Sequence, residues 1–230
     1  APFVLPAFDP EGDPVTFSIV TPPTHGELNT IAPFPFSGLV SRWSAEGNAN
    51  DNIGTNNGTL QNGAAVVSAG KVGQAFSFDG VDDVVVIPDA ANLTPSAITL
   101  EAWIFPTAYP DSLTGNATIA FKGGSGPNNG LGSRSYFLTL RDSGHVAFTV
   151  DPNTATANMA TSDVAVPLNA WAHVVGTHEA GVTKIYVNGI LSNTNTNGIA
   201  SLVTNTDPLK IGKFSDATPR LFAGRIDEVA

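Results

Sequence analysis

Oxygen donors are the chemically useful groups this chain has in quantity. Its 14 Asp outnumber its 6 Glu, and Asp is the carboxylate that fits tight turns and the loops that wrap a hard cation such as calcium. Asp51 with Asn52, Asn56 and Asn57 makes one oxygen-rich loop, which reads first as a solvated turn and second as a cation site. Other chemistries lack their residues. With 0 Cys there is no thiol nucleophile, disulfide or zinc-thiolate centre. The 4 His are isolated; His173 and His178 lie five apart on a predicted strand and therefore on opposite faces, not on the shared face a zinc pair needs. Each Glu stands alone, so the strand-borne carboxylate pair about 5 Å apart that hydrolyses glycosides with retention is missing. There is no Gly-x-Ser-x-Gly elbow, and the glycines from Gly123 to Gly132 do not form a phosphate loop. These residues predict a protein that is not an enzyme in its own right.

The elements that must position these donors read as strands. Of 230 residues, 42% are hydrophobic, enough to fill a core, and only 13% are charged. Surface polarity falls to Asn, Thr, Ser and Gly, which favour turns and β-surfaces over helices. Apolar runs are short, alternating or β-branched, and bounded by Gly, Pro, Asn or Asp. Residues 135–141 and 145–150 form a predicted hairpin around Asp142-Ser-Gly144. Residues 171–179 and 182–187 form another across Ala180-Gly181, and Asn188-Gly189 supplies the positive φ angles of a type I′ turn before a third strand. Residues 74–79, 83–87 and 98–105 are further strands. In the last, Ile98, Leu100, Ala102 and Ile104 share one face and Thr99, Glu101, Trp103 and Phe105 the other, which predicts a central strand covered on both sides. Trp43, Trp103 and Trp171 read as core aromatics. The expected fold is all-β, a two-sheet antiparallel sandwich.

A formal charge of −10, with the 10 Lys and Arg scattered singly, argues against nucleic acid and acidic membrane surfaces as partners. No stretch reaches the roughly 20 apolar residues of a spanning helix, so membrane insertion is not expected.

Residues 1–35 differ in being Pro-dense with one evident strand, Val15 to Val20. The run from Asp9 to Leu28, with an acidic turn before the strand and Pro23-Thr-His-Gly26 after it, resembles the repeat of cadherin-like and bacterial immunoglobulin-like stalk domains. It is too short for a whole domain, so residues 1–35 are expected to be a linker or remnant of one, and 36–230 a separate sandwich. From Gly38 onward, Leu39-Val-Ser-Arg-Trp43, Gly73-Gln-Ala-Phe-Ser-Phe-Asp-Gly80 with Asp82-Asp83-Val-Val-Val-Ile-Pro88, Trp171-Ala-His-Val-Val, Lys184-Ile-Tyr-Val-Asn-Gly189 and Phe222-Ala-Gly-Arg-Ile-Asp-Glu-Val229 follow one another in the order of the laminin G-like family, which they resemble.

That resemblance implies a concanavalin A-like jelly roll. It also implies a structural calcium ion at Asp227, helped by the turn of Asp79 and Gly80, with Asp51 as a further candidate ligand. It places ligand contacts on the sandwich rim or concave sheet, where Asn128, Asn129, Arg134, Tyr136 and Asp216 are the candidates. Pentraxin-like relatives hold calcium in the loop that corresponds to Lys122 to Tyr136, yet no carboxylate occurs here between Asp111 and Asp142. The implied function is an extracellular binding module for carbohydrate or glycoprotein within a larger secreted or cell-surface protein, beside neighbouring domains. The competing expectation is a structural or adhesion spacer with no small ligand. The resemblance further implies a last strand running on beyond Ala230.

Overall fold

The computed structural model describes residues 38–124, 134–151, 158–196, 202–215 and 220–230. The expected strand at 15–20, the unit at 1–35 and the candidates Asn128, Asn129 and Asp216 lie outside the described residues. Fourteen strands follow in chain order: β1 (Thr59–Gln61), β2 (Ala65–Ser68), β3 (Gln74–Asp79), β4 (Val84–Ile87), β5 (Ile98–Pro106), β6 (Asn116–Lys122), β7 (Tyr136–Arg141), β8 (His145–Val150), β9 (Asn158–Ala165), β10 (Ala172–Glu179), β11 (Val182–Val187), β12 (Ile190–Asn195), β13 (Leu209–Ile211) and β14 (Ala223–Asp227). One turn of 3-10 helix, Ala91–Leu93, is the helical element among the described residues. No helix there is long and apolar enough to cross a membrane.

Two antiparallel sheets of seven strands face each other, ordered β1-β4-β13-β6-β7-β8-β9 and β12-β11-β10-β5-β14-β3-β2. The hairpins form where local turn chemistry demands them: Asn188 and Gly189 take φ of 51° and 79°, and Ala180 and Gly181 take 48° and 84°. Between the sheets, Phe76, Phe78, Leu100, Ile104, Leu138, Phe148, Val174 and Ile185 pack as one core. Two glycines let the sheets approach. A Cβ on Gly176 of β10 would stand 2.1 Å from the Phe148 ring of β8, and one on Gly212, after β13, 2.3 Å from the Phe78 ring of β3. The start of the described chain closes against its end: Trp43 and Val229 exchange both backbone hydrogen bonds, at 2.8 and 3.2 Å, and the Trp43 indole donates to the Asn56 carbonyl at 2.8 Å.

β5 is central, between β10 and β14, as its pattern predicts. Its second face corrects the expectation for two tryptophans. Trp43 is core, but Trp103 and Trp171 are half-buried on the outer surface of their sheet, because Leu100, Ala102 and Ile104 fill the inner face and pleating sends Trp103 outward.

Candidate functional site

The outer face of the β6–β9 part of the first sheet follows from the same alternation. Tyr136, Leu138 and Leu140 on β7, with Val146, Phe148 and Val150 on β8, point into the core, so Phe137, Thr139, Arg141, Ala147 and Thr149 point out. Register aligns them in two rows: Lys210, Phe121, Phe137, Thr149, Met159, and beside it Thr118, Thr139, Ala147, Thr161. Phe214 lies flat on Phe121 at 4.0 Å between ring centroids and meets Phe137 edge-on at 5.4 Å. The Arg220 guanidinium sits 4.8 Å from the Phe214 ring, and its backbone carbonyl accepts the Thr118 N–H at 2.9 Å. Arg134 pairs with Asp151 at 2.8 Å.

Polar groups on this face are left without partners. The hydroxyls of Thr118 and Thr149 and the Nε atoms of Arg134 and Arg220 are buried and have no hydrogen-bond partner among the described residues. Each such group costs about 1–3 kcal/mol; with Thr118 and Phe121 0% exposed and Thr149 2%, the middle of this face is already covered, and its accessible margin is formed by the half-buried Arg141, Thr161 and Arg220. Arg134, whose side chain keeps 15% exposure, stands at that margin beside Asp151. Tyr136 does not: it is a core residue, 2% exposed, whose hydroxyl donates to the Leu93 carbonyl at 2.8 Å. Alternation alone corrects that expectation, since Tyr136 shares its face with Leu138 and Leu140.

The expected cation ligands are dispersed. Asp79 pairs with Ala223 at one end of β14 and Asp227 with Trp103 at the other, roughly 13 Å apart along the strand, so one ion cannot bind both. Asp227 is 0% exposed. Its Oδ2 accepts the N–H groups of Lys71 at 2.7 Å and Val72 at 3.0 Å, while Oδ1 has no partner among the described residues. Burial, reinforced by the Glu228 carboxylate and opposed by the backbone N–H groups of Val72, Lys71 and Glu228, pushes its carboxyl up to about 6. A buried carboxylate oxygen with no donor fits a divalent cation chemically.

At the other end, carboxylate oxygens of Asp79, Asp82 and Asp83 lie within 4.8 Å of one another. Asp79 Oδ1 accepts the Val81 N–H, and Asp83 Oδ2 the Asp79 N–H. Burial and its two acidic neighbours raise the Asp83 carboxyl. Gly80, at φ 81°, turns the chain there, where a Cβ would meet that of Ala223 at 2.9 Å. This cluster sits on the short turn between β3 and β4 with Asp79 and Asp82 exposed, unlike the acid pair of a hydrolase, which flanks a bound sugar.

Asp51 has a different task from the one expected. Oδ1 accepts the N–H groups of Arg42, Ile53 and Gly54, each at 3.0 Å, and Oδ2 that of Asn56 at 3.1 Å. A cation would have to displace those donors. Burial raises its carboxyl, but the N–H groups of Gly54, Ile53 and Arg42 outweigh burial and hold it below the usual range. Asp51→Ala should therefore cost about 2–3 kcal/mol by loosening the loop; an unchanged urea midpoint would contradict that role.

On the second sheet's outer face, Trp103 lies between the Lys71 ammonium, 4.2 Å from its ring, and the stacked His173 ring at 5.0 Å. Arg225 covers Phe105 at 4.0 Å and approaches Trp171 at 5.5 Å. These rings already carry cations or rings on their faces, so they are less free to stack on a sugar. A broad groove of about 1230 Å³ borders Trp103, lined by Gly38, Arg42, Thr99, Glu101, His173 and Lys184 among others.

Solved structures share the architecture. Domain 4 of AbnA, a GH43 extracellular arabinanase from Geobacillus stearothermophilus solved in complex with arabinotriose, superposes with a TM-score of 0.63 at 18% identity, covering 83% of this chain and 89% of that one. The binding domain of Paraclostridial Mosquitocidal Protein 1 gives 0.64 at 14%, over 82% of this chain and 47% of that one. The receptor binding domain of botulinum neurotoxin D gives 0.56 at 16%, over 83% and 48%. The chain thus spans about half the length of the two toxin domains. Identities this low establish the fold alone. A comparison with curated protein sequences finds no match. A family model described as the concanavalin A-like lectin/glucanases superfamily matches residues 79–230, and β3, which lies almost wholly upstream of that range, hydrogen-bonds to β14 inside it, so the sandwich extends beyond the matched residues. The chain belongs to the laminin G-like family of the concanavalin A-like superfamily.

Proposed function

We propose that this chain is a non-catalytic, extracellular binding module for carbohydrate or glycoprotein, with its ligand seated on the outer face of the β6–β9 sheet and a calcium ion at Asp227 stiffening the sandwich. The observation that carries the binding reading is the set of half-buried polar side chains at the margin of that face, Arg134, Arg141, Thr161 and Arg220, around the buried Phe121, Phe137 and Phe214 cluster. Sugar hydroxyls both donate and accept, so they suit such groups. The superposed arabinanase domain, solved with arabinotriose, supports a sugar as the kind of ligand. Calcium is supported by the unpartnered Asp227 Oδ1. Residues 36–230 form the module, and residues 1–35 tie it to a neighbouring stalk-like domain.

Affinity electrophoresis through gels containing soluble polysaccharides tests the reading. Retardation is expected in at least one gel. It should be lost on filling the half-buried edge of the face with Thr161→Trp and kept with Thr177→Trp, which fills the groove side of the other sheet. Free migration in every gel, or loss with Thr177→Trp alone, would overturn the assignment; free migration throughout would favour a spacer domain.

A further inference from the structure

The cations on the β6–β9 face are the feature the neutral-sugar reading leaves unexplained. The chain has twice as many Asp and Glu as Lys and Arg, 20 against 10, yet Arg134, Arg141, Lys210 and Arg220 gather on this face. Arg141 points out of β7 opposite Asn116, Lys210 stands in the row beside Phe121, and Arg220 reaches over Phe214 next to Thr118. Arg134 precedes β7 and Arg141 ends it, so the two are about 20 Å apart along the strand direction. The Arg220 guanidinium lies near enough to both to feel their charge: burial first, then Arg134 and Arg141, lowers its proton affinity. Asp151 answers Arg134, and the Arg141 guanidinium meets the Met159 thioether at 3.7 Å. Like charges converging beside partnerless Nε atoms are unfavourable unless an anion completes them.

Resting on the binding reading above, we propose that the ligand is an acidic glycan, whose anionic groups are taken by the track of half-buried Arg134, Arg220 and Arg141. Guanidinium groups suit this role because their fixed fork of donors matches a carboxylate or a sulfate in two parallel hydrogen bonds. A row of them about 20 Å long fits a linear polymer better than a lone small anion. At physiological salt a charge acts over about 8 Å, so the local track attracts a polyanion although the whole chain is acidic.

Retention would be measured on polygalacturonate and dextran sulfate, against methyl-esterified pectin and dextran as neutral counterparts. The first acidic polymer offers carboxylates and the second sulfates, so the two arms separate the sources of the anion. Retention on either one, about ten-fold stronger than on its neutral counterpart and weakened by salt, is expected. Arg141→Gln with Arg220→Gln should reduce it about ten-fold. Lys184→Gln with Arg225→Gln changes net charge equally on the other sheet and should leave it intact. Thermal midpoints near the parent's for both pairs show that loss of binding is not loss of fold. Equal retention on neutral and acidic polymers, or retention indifferent to the Arg141 and Arg220 pair, would overturn this inference and leave the binding reading standing. Retention on no polymer would overturn both.

Discussion

Lys122→Met should destabilise the fold by about 3–5 kcal/mol, the range for stripping one partner from a buried charged network. Lys122 is 0% exposed at the end of β6. Its ammonium donates to Asp89 Oδ1 at 2.8 Å, Asn205 Oδ1 at 2.8 Å, the Asn205 carbonyl at 3.3 Å and the Asp207 carbonyl at 2.6 Å. It thereby ties the segment after β4 and the segment before β13 to β6, in the part of the sheet where β13 lies between those two strands. Met fills a similar volume, so little packing is lost, but it offers no proton to four acceptors. At about 2–4 °C per kcal/mol for a domain of this size, the thermal midpoint should drop by roughly 10 °C. A change below about 1 kcal/mol in urea unfolding would show that water replaces the ammonium without cost.

Asp227→Asn should reverse its effect with calcium. In the parent without calcium, the Asp227 carboxyl is raised from 3.8 to about 6. The folded state therefore holds its proton more tightly than the unfolded state does. The stability this gives is fully present below about pH 4, falls as pH rises through 6, and is then flat. Two pH units correspond to about 3 kcal/mol, an upper figure. Asn mimics the neutral acid, so in chelator at pH 7.5 the variant should melt above the parent. With saturating calcium the order should invert, because an ion bound only by the folded parent adds about 2.7 kcal/mol at a hundred times its dissociation constant. Asp51 has the opposite sign: its lowered carboxyl stabilises above the ordinary Asp range and loses that contribution as pH falls below it. Comparing parent and variant at each pH isolates Asp227 from Glu228 and Asp83, which burial also raises. If the parent melts above the variant in chelator, and calcium moves neither, Asp227 is not a cation ligand. A calcium response retained by Asp227→Asn and lost by Asp82→Asn would move the ion to the β3–β4 turn.

What the sequence revealed follows the range of the forces involved. The β7–β8 and β10–β11–β12 hairpins were legible because Gly144, Ala180-Gly181 and Asn188-Gly189 dictate their turns locally. β6 was hidden: it is buried on both faces and bulged between Thr118 and Ala120, so it shows no alternation. β1 and β2 are short and largely exposed, with little apolar signal. The outward position of Trp103 was present in the pattern of β5, whose Leu100, Ala102 and Ile104 already fill the inner face. The site was far less legible. Arg134, Arg141 and Arg220 stand singly in the sequence and meet only through sheet register and the reach of Arg220 over Phe214. Asp79 and Asp227 both sit in family-like phrases, but the β3–β14 register, which no local pattern encodes, puts them at opposite ends of a strand. Phe137, Thr139 and Arg141 alternating with Tyr136, Leu138 and Leu140 was the one local signal that could have exposed the ligand face.

Backbone amide shifts followed by NMR during titration with oligosaccharides prepared from a retained polymer test the location of binding residue by residue. The largest changes should fall on Thr118, Thr139, Arg141, Thr149 and Arg220, with Glu101, His173 and Lys184 still. Changes concentrated on the second sheet, or a spectrum that no glycan moves, would contradict a ligand face on the β6–β9 sheet.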